Sequence, residues 1–290
     1  MNSKPESERY FAASQQMWDD WATVHMRGNA MYPVRAFLTG EAGVAPNIPD
    51  DIGSVDGKSM LHLMCHFGMD SLMWARQGAR VTGVDFSAKA IAGARALNEQ
   101  LHLDAHFIQA NVFDLPEVLD EQFDIVITYF GILHWLPDLT RWSEIVAHFL
   151  KPGGIFYIAD DHPFKYMIEG GAPDPPHPFL AYTYFPDGVW VSESGTSTYA
   201  DDDAGLENRT NYQWRHRLRD LVTAISGAGL DIGYVHEFPF TFCDIFDYPE
   251  GGITGRMERD EEGWYWHLFQ GRRNVFLPPI FSLKATKGTA

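Results

Sequence analysis

"MLHLMCHFGMDSL", Met60 to Leu72, has the outline of a strand, a tight turn and a helix start. In α/β proteins that junction is where nucleotide-type cofactors sit. Such turns are normally rich in glycine. This one keeps Gly68 alone and fills the other places with histidine, phenylalanine and methionine. The helix it opens offers free N–H groups and a dipole that favour an anion or a carboxylate. Gly68 is expected to let the backbone approach a ligand with no Cβ in the way. Asp70 or Ser71 is expected to cap the helix, which stops near Gly78.

Downstream of the turn the chain alternates. Ser59 to Met64 is the first strand and "RVTGVDF" the second, ending in Asp85. Ser87 caps a helix whose Ala90, Ile91, Ala94 and Leu97 share a face. "AHFIQA" is a third strand, followed by Asn111. "FDIVITYF" is a fourth, continuous in apolar residues as a strand buried on both faces is. Leu139 to Leu150 is helical, with Trp142, Ile145, Val146 and Phe149 inward, and is closed by "KPGG". "IFYIAD" is a fifth strand, "LDIGYVHEF" a sixth, after a helix from His216 to Gly227, and Ile280 to Ala285 the last. This rhythm predicts a parallel sheet with right-handed crossovers. The last two strands lack a helical period in most of the segment between them, which suits antiparallel pairing.

Upstream, Glu6 to about Gly40 reads as helical, and "GEAGVAPNIPDDIGSVDGK" as a linker. The strand rhythm breaks at Pro163. From there to about Tyr212 the chain is rich in Pro, Gly, Asp and Tyr, and long connections are usually lids or binding elements. A second excursion covers Thr241 to Arg273. Tyr182, Tyr184, Phe185, Trp190, Tyr199, Trp264, Tyr265 and Trp266 offer stacking or cation–π surfaces for a substrate chamber, or equally the core of a cap.

The 290 residues allow one large domain or a domain with a sizeable insertion. They are 45% hydrophobic and 14% aromatic, enough for a real core. The formal net charge is −17, from 22 Lys+Arg against 39 Asp+Glu. That field repels nucleic-acid phosphates and anionic membrane surfaces, and suits a neutral or cationic small substrate. Two cysteines, Cys65 and Cys243, build neither a disulfide framework nor a zinc site. The start, "MNSKPESERYFAAS", has no apolar core of signal-peptide length, and no apolar run approaches the ~18 residues that span a bilayer. The expectation is a soluble cytoplasmic protein. A homodimer is compatible with it.

Four features fall in order where one nucleoside ligand needs them: the turn at Gly68, Asp85 at a strand end, Asn111 after the third strand, and "TYFG" after the fourth. An acid ~20 residues past such a turn accepts hydrogen bonds from ribose hydroxyls, and Asp85 falls near that spacing. The amide oxygen of Asn111 is placed to receive an adenine amino group. Singly, each is as readily a cap or a turn residue. A pyrophosphate cofactor such as NAD needs Gly-x-Gly-x-x-Gly, and the bulky side chains here count against it.

The blocks "MLHLMCHFGMDSL", "VTGVDFS", "IQANVFDL", "FDIVITYFGILHWLPDL" and "FLKPGGIFYIADDHPF" resemble the class I, Rossmann-like S-adenosylmethionine-dependent methyltransferases, nearest to bacterial small-molecule enzymes with a "CHFG" first motif. The resemblance covers about Lys58 to Phe164. It implies a cofactor, S-adenosyl-L-methionine, leaving as S-adenosyl-L-homocysteine. In the family's acid-x-Gly-x-Gly-x-Gly motif, His62 takes the acid's place and Met64 and His66 those of the first two glycines. The methionine part of the cofactor would lie along the backbone through Met64, Cys65, His66 and Gly68. Asp85 would hold the ribose hydroxyls with Phe86 against the adenine. Asn111 and the N–H of Val112 would meet the adenine edge, and Tyr129 and Phe130 would border the methyl donor. The N-terminal segment is expected over the cofactor, with Tyr32 or His25 in contact. The acid's usual work, ordering the turn or binding the cofactor's amino group, must pass to other groups.

For the acceptor side, "ADDHPF" lies at the end of the fifth strand. His162 is the first choice of general base, since its ordinary pKa suits neutral pH. Asp161 would orient it or meet a cationic substrate. The plainer alternative has Asp160 and Asp161 capping a turn and His162 packed on Pro163. His134, in "GILHWLP", is the second candidate. No metal site is expected: His162 with Asp160 and Asp161 is too short a constellation, and His177 adds little.

The expected architecture is α/β: a Rossmann-like, seven-stranded, mostly parallel sheet with helices on both faces, an antiparallel last strand, an N-terminal helical segment and cap insertions. Residues 1–50 form the lid and linker, 51–163 the cofactor-binding core, 164–212 a cap insertion, and 213–290 the rest of the core with an aromatic insertion at 241–273. The expected function is methyl transfer from S-adenosylmethionine to a small molecule at O, N, S or C. The alternatives are a catalytically silent cofactor-binding relative, or a nucleic-acid or protein methyltransferase, which the acidity disfavours.

Overall fold

The computed structural model describes residues 4–29, 31–42, 51–169, 179–180, 183–185, 188–193, 198, 205–241, 257–259, 264–266 and 278–289. Its centre is a sheet of β1 (Ser59–Leu63), β2 (Arg80–Asp85), β3 (His106–Gln109), β4 (Phe123–Tyr129), β5 (Leu150–Asp161), β6 (Leu230–Phe238) and β7 (Ile280–Lys287). The order across it is β6-β7-β5-β4-β1-β2-β3. The five strands from β5 to β3 run parallel, while β7 lies antiparallel to both β5 and β6. The antiparallel ending expected from the missing helical period is therefore present. The chain steps outward from β1 to β3 and then returns to β4 on the other side of β1. Strand order reverses between β1 and β4, and the crevice at the carboxyl ends there is the natural ligand site.

Helices cover both faces. On one, Leu61, Leu63, Val126, Phe156, Ile158 and Phe281 meet α5 (Leu139–Phe149) and α6 (Leu218–Gly227). The inward residues of α5 are Trp142, Ile145, Val146 and Phe149, as their spacing predicts. Each such side chain contributes about 1.5–3 kcal/mol on burial, so Phe149→Ala alone would cost about 3–5 kcal/mol. On the other face Met60, Val81, Ile125, Ile127 and Tyr157 pack with Trp74 of α3 (Met69–Arg76). Beside them α4 (Ala88–Leu101) buries Ala90, Ile91 and Ala94 against Phe107.

Two local expectations change. "KPGG" does not close α5 but belongs to β5, which begins at Leu150 opposite Phe123. Lys151 Nζ there reaches Asp124 at 2.9 Å and Ser59 Oγ at 3.0 Å, tying the starts of three strands together. The N-terminal segment is two helices, α1 (Lys4–His25) and α2 (Val34–Thr39), because the chain turns through Gly28 at φ 85°. In the excursions, Val189–Glu193 pairs with Thr210–Trp214 and Met257–Arg259 with Trp264–Trp266, both antiparallel. Tyr182, Tyr199 and His177 lie outside the described residues.

Candidate functional site

The turn after β1 keeps the main-chain path of a glycine turn without the glycines. Met64 has φ 57° and His66 φ 52°, both left-handed, as is Gly68 at φ 73°. Left-handed conformation costs an ordinary L-residue about 1–2 kcal/mol, so the fold holds two strained residues at this point. Gly68 also has a packing role. A Cβ there would stand 2.7 Å from the Phe107 ring and 2.8 Å from Ala94. Gly68 lets the start of α3 close on β3 and α4.

Neither Asp70 nor Ser71 caps α3; the cap position is Gly68, with no side-chain bond. Ser71 Oγ lies 2.8 Å from His62 Nδ1, so the histidine at the acid's place ties β1 to the first turn of the helix. Burial holds the His62 pKa near 3, which keeps it neutral. Asp70 stands in the same first turn and has no hydrogen bond or ion pair among the described residues. Burial raises its pKa to about 6.

Asp85 closes β2 and is buried. Its two carboxylate oxygens accept from the backbone N–H of His66 and of Ser87, each at 2.9 Å. One side chain thereby fixes the turn after β1 to the turn after β2. Burial pushes its pKa up to about 6, with those two N–H groups pulling the other way. Ser87 accepts from Ala90 N–H at 3.1 Å and caps α4 as expected. Phe86 is half-buried, and its carbonyl accepts from Gln15 and Gln109. Asn111 caps the short helix Val112–Glu117, its Oδ1 accepting from Phe113 N–H at 3.0 Å, and Val112 is buried beside it.

At the end of β4, Tyr129 turns away from the crevice. Its hydroxyl accepts from the Trp74 indole at 2.6 Å, and its ring lies 4.8 Å from His62. It thus belongs to the core under α3, while the half-buried Phe130, at φ 58°, begins the loop itself. Asp160, buried at the end of β5, holds that loop. Its carboxylate accepts from the N–H groups of Gly131, Ile132, Leu133 and Asp161 at 2.6–3.1 Å.

The N-terminal helix lies over this ground. The Trp18 ring is 5.2 Å from His66 and 5.5 Å from Trp135, spanning the loops after β1 and β4. Asp19 accepts from Ser87 Oγ at 2.5 Å and from Lys89 N–H at 3.1 Å. His25 Nδ1 and His66 Nε2 are 2.9 Å apart, and Tyr32 stacks on His25 at 4.7 Å. Burial lowers the His25 pKa to about 3, and burial with the neighbouring His25 drives that of His66 well down. The Nδ1 of His66 is buried and has no partner among the described residues.

On the acceptor side the structure separates the three candidates. His162 has both ring nitrogens engaged: Nε2 is 3.0 Å from Glu237 Oε1, and Nδ1 accepts from Phe164 N–H at 3.2 Å. His134 instead heads a chain. Its Nδ1 is 2.8 Å from the Tyr166 hydroxyl, which donates to Asp161 Oδ2 at 3.2 Å; Lys165 Nζ pairs with the same oxygen at 2.8 Å. That direction makes His134 Nδ1 the donor to Tyr166 and leaves Nε2 as an acceptor with no partner among the described residues. Burial holds the His134 pKa near 3, although the Asp161 charge opposes it. Tyr166 is the site residue that reading the sequence missed. It sits in the short helix Pro163–Met167, and its pairing with a residue after β4 is tertiary. No group of three or more potential metal ligands occurs among the described residues, and no helix there is long and apolar enough to cross a membrane.

The donor set fits a cationic nucleoside such as S-adenosylmethionine better than a pyrophosphate. Asp70 and Asp85 flank the crevice, and the buried Nδ1 of His66 is an orphaned polar atom in the same turn. Strand order, the reversal between β1 and β4, and the antiparallel β7 define the Rossmann-like fold of class I methyltransferases. Residues 60–154 match the family model described as a methyltransferase domain. A relative named ubiquinone biosynthesis O-methyltransferase, from Alkalilimnicola ehrlichii, is 30% identical over 119 residues, 40% of this chain and 48% of its own. The chain spans about half the length of the curated relatives it matches. A Mesorhizobium loti structure described as an S-adenosylmethionine-dependent methyltransferase aligns over 86% of this chain and 100% of its own, with TM-score 0.58 and 22% identity. One from Listeria monocytogenes, described as a putative enzyme of that kind, aligns over 83% and 95%, with TM-score 0.58 and 17% identity.

Proposed function

We propose that this chain is an S-adenosylmethionine-dependent methyltransferase whose acceptor is a small molecule with a hydroxyl group. The observation that carries the reading is the crevice where strand order reverses, built from a glycine-path turn and an acid at the end of β2. The turn through Met64, Cys65, His66 and Gly68 would hold the methionine part. Asp85 would take the ribose hydroxyls on its remaining lone pairs, with Phe86, Asn111 and Val112 at the adenine and Phe130 near the reacting end. Tyr129 would act from beneath, by holding His62 and Trp74 in place. The N-terminal helix, with His25 and Tyr32, would exclude water from above.

Bound there, S-adenosylmethionine supplies an electrophilic sulfonium methyl. The name of the curated relatives supports oxygen as the acceptor atom, and the His134–Tyr166–Asp161 chain gives that a physical form. His134 Nε2 would accept a hydrogen bond from the acceptor hydroxyl and take its proton as the new C–O bond forms. A weakly basic imidazole suffices, because a methylated hydroxyl that still carries its proton is a far stronger acid. Asp161 and Tyr166 would keep Nε2 as the acceptor, and positioning would supply the rest of the rate. His162, whose nitrogens are both engaged, would fix β5 to β6.

The test is methyl transfer from isotope-labelled S-adenosylmethionine to a panel of small phenols, alcohols and amines, read by mass spectrometry. The expected product is a methyl ether, with turnover falling roughly 10²-fold or more in His134→Gln and little in His162→Gln. Exclusive N-methylation, or full activity in His134→Gln, would overturn the acceptor-side reading.

A further inference from the structure

Accepting the cofactor reading above, the ligand ends in an amino acid whose ammonium group needs an anion in the turn after β1. The acids near that turn are already committed, with one exception. Asp85 takes the N–H groups of His66 and Ser87. Asp19 takes Ser87 Oγ and Lys89 N–H. Asp160 takes three N–H groups of the loop after β4 and that of its own neighbour, Asp161. His62, at the end of β1, is neutral and bonded to Ser71. Asp70 stands in the first turn of α3 with no bond to a described residue. Gly68, the last residue of the turn after β1, is the cap position of α3, so Asp70 stands two residues past that turn.

We infer that Asp70 is the anionic partner of the cofactor's α-ammonium group. The two tasks of a single strand-end acid are then divided: His62 orders the turn through Ser71, and Asp70 supplies the charge one helical turn on. A half-buried carboxylate left without a partner is costly, and an ammonium group offsets that cost. The burial that raises the pKa of Asp70 is the cost the ligand would relieve.

Calorimetry with two ligands tests this: S-adenosylhomocysteine and its analogue with hydrogen in place of the α-amino group. The wild type should bind S-adenosylhomocysteine at least tenfold more tightly than the analogue. Asp70→Asn should lose roughly 10–100-fold for S-adenosylhomocysteine and less than threefold for the analogue, with a melting temperature in the absence of ligand no lower than that of the wild type. Asp70→Glu, which keeps the charge, should restore part of the discrimination. Equal losses for both ligands would make Asp70 structural and overturn the inference, as would an unaltered affinity for S-adenosylhomocysteine. Wild-type protein that binds neither ligand would overturn the cofactor reading itself.

Discussion

Gly68 and Gly53 have nearly the same left-handed φ, 73° and 78°, but opposite surroundings. At Gly53 an added Cβ meets nothing within 4 Å; at Gly68 it meets Phe107 and Ala94 at 2.7–2.8 Å. Gly53→Ala should therefore cost only the backbone strain, about 1 kcal/mol. Gly68→Ala should cost about 3 kcal/mol or more, because a ring in the core must also move. Chemical denaturation of both variants checks this, and equal losses would contradict it. At Asp85 the expectation concerns binding. Asp85→Ala should weaken S-adenosylhomocysteine by about 1–3 kcal/mol, read by calorimetry, since it removes the proposed ribose acceptor and leaves the His66 and Ser87 N–H groups unpaired. An unchanged affinity would refute the ribose role. The places of Gly68 and Asp85 were legible in the sequence because each falls where a strand gives way to the next helix. What Gly68 avoids was not, because Phe107 and Ala94 reach it through the packing of β3 and α4.

At the scale of elements, the junction of α1 with the first turn rests on neutral histidines. His25 has a folded-state pKa of about 3 against an ordinary value of 6.5. A histidine depressed in this way gives stability that is present above pH 6.5 and lost as pH falls toward 3, because the unfolded chain binds the proton first. Between pH 7.5 and 5.5 the loss is about 1.4 kcal/mol for one such group. The groups facing His25 are His66, Trp18, Trp21 and Tyr32. Three carboxylates, the half-buried Asp70 and the buried Asp85 and Asp160, have pKa values raised to about 6 by desolvation and oppose the trend, because the folded state holds their protons longer. The comparison must therefore be between wild type and His25→Gln. The variant should show a shallower fall in stability over that pH range, followed by tryptophan fluorescence at Trp18 and Trp21; parallel curves would contradict the account. Element type was readable throughout the sheet, since apolar runs such as Ile125–Ile127 and the face of α5 are set by period. The break between α1 and α2 was not, because it depends on one left-handed glycine and on contacts with α4 and the turn. The acceptor-side chain was half legible. His134 and Asp161 stand out by residue type, whereas Tyr166 is marked by nothing local, and the engagement of His162 depends on Glu237 from β6.

Across the whole molecule, the proposal is that a neutral-to-acidic crevice under an aromatic roof distinguishes between cofactors by charge. Nothing near the turn after β1 offers the tight triple-glycine seat of a pyrophosphate, and the carboxylate of Asp70 favours a cation. The net charge of −17 acts in the same direction at longer range. The central claim is therefore tested most directly by calorimetry of the full chain with S-adenosylmethionine, S-adenosylhomocysteine and NAD in parallel. Saturable one-to-one binding of the first two, with none of NAD, is the predicted result. Binding of NAD with neither sulfur nucleoside would contradict it.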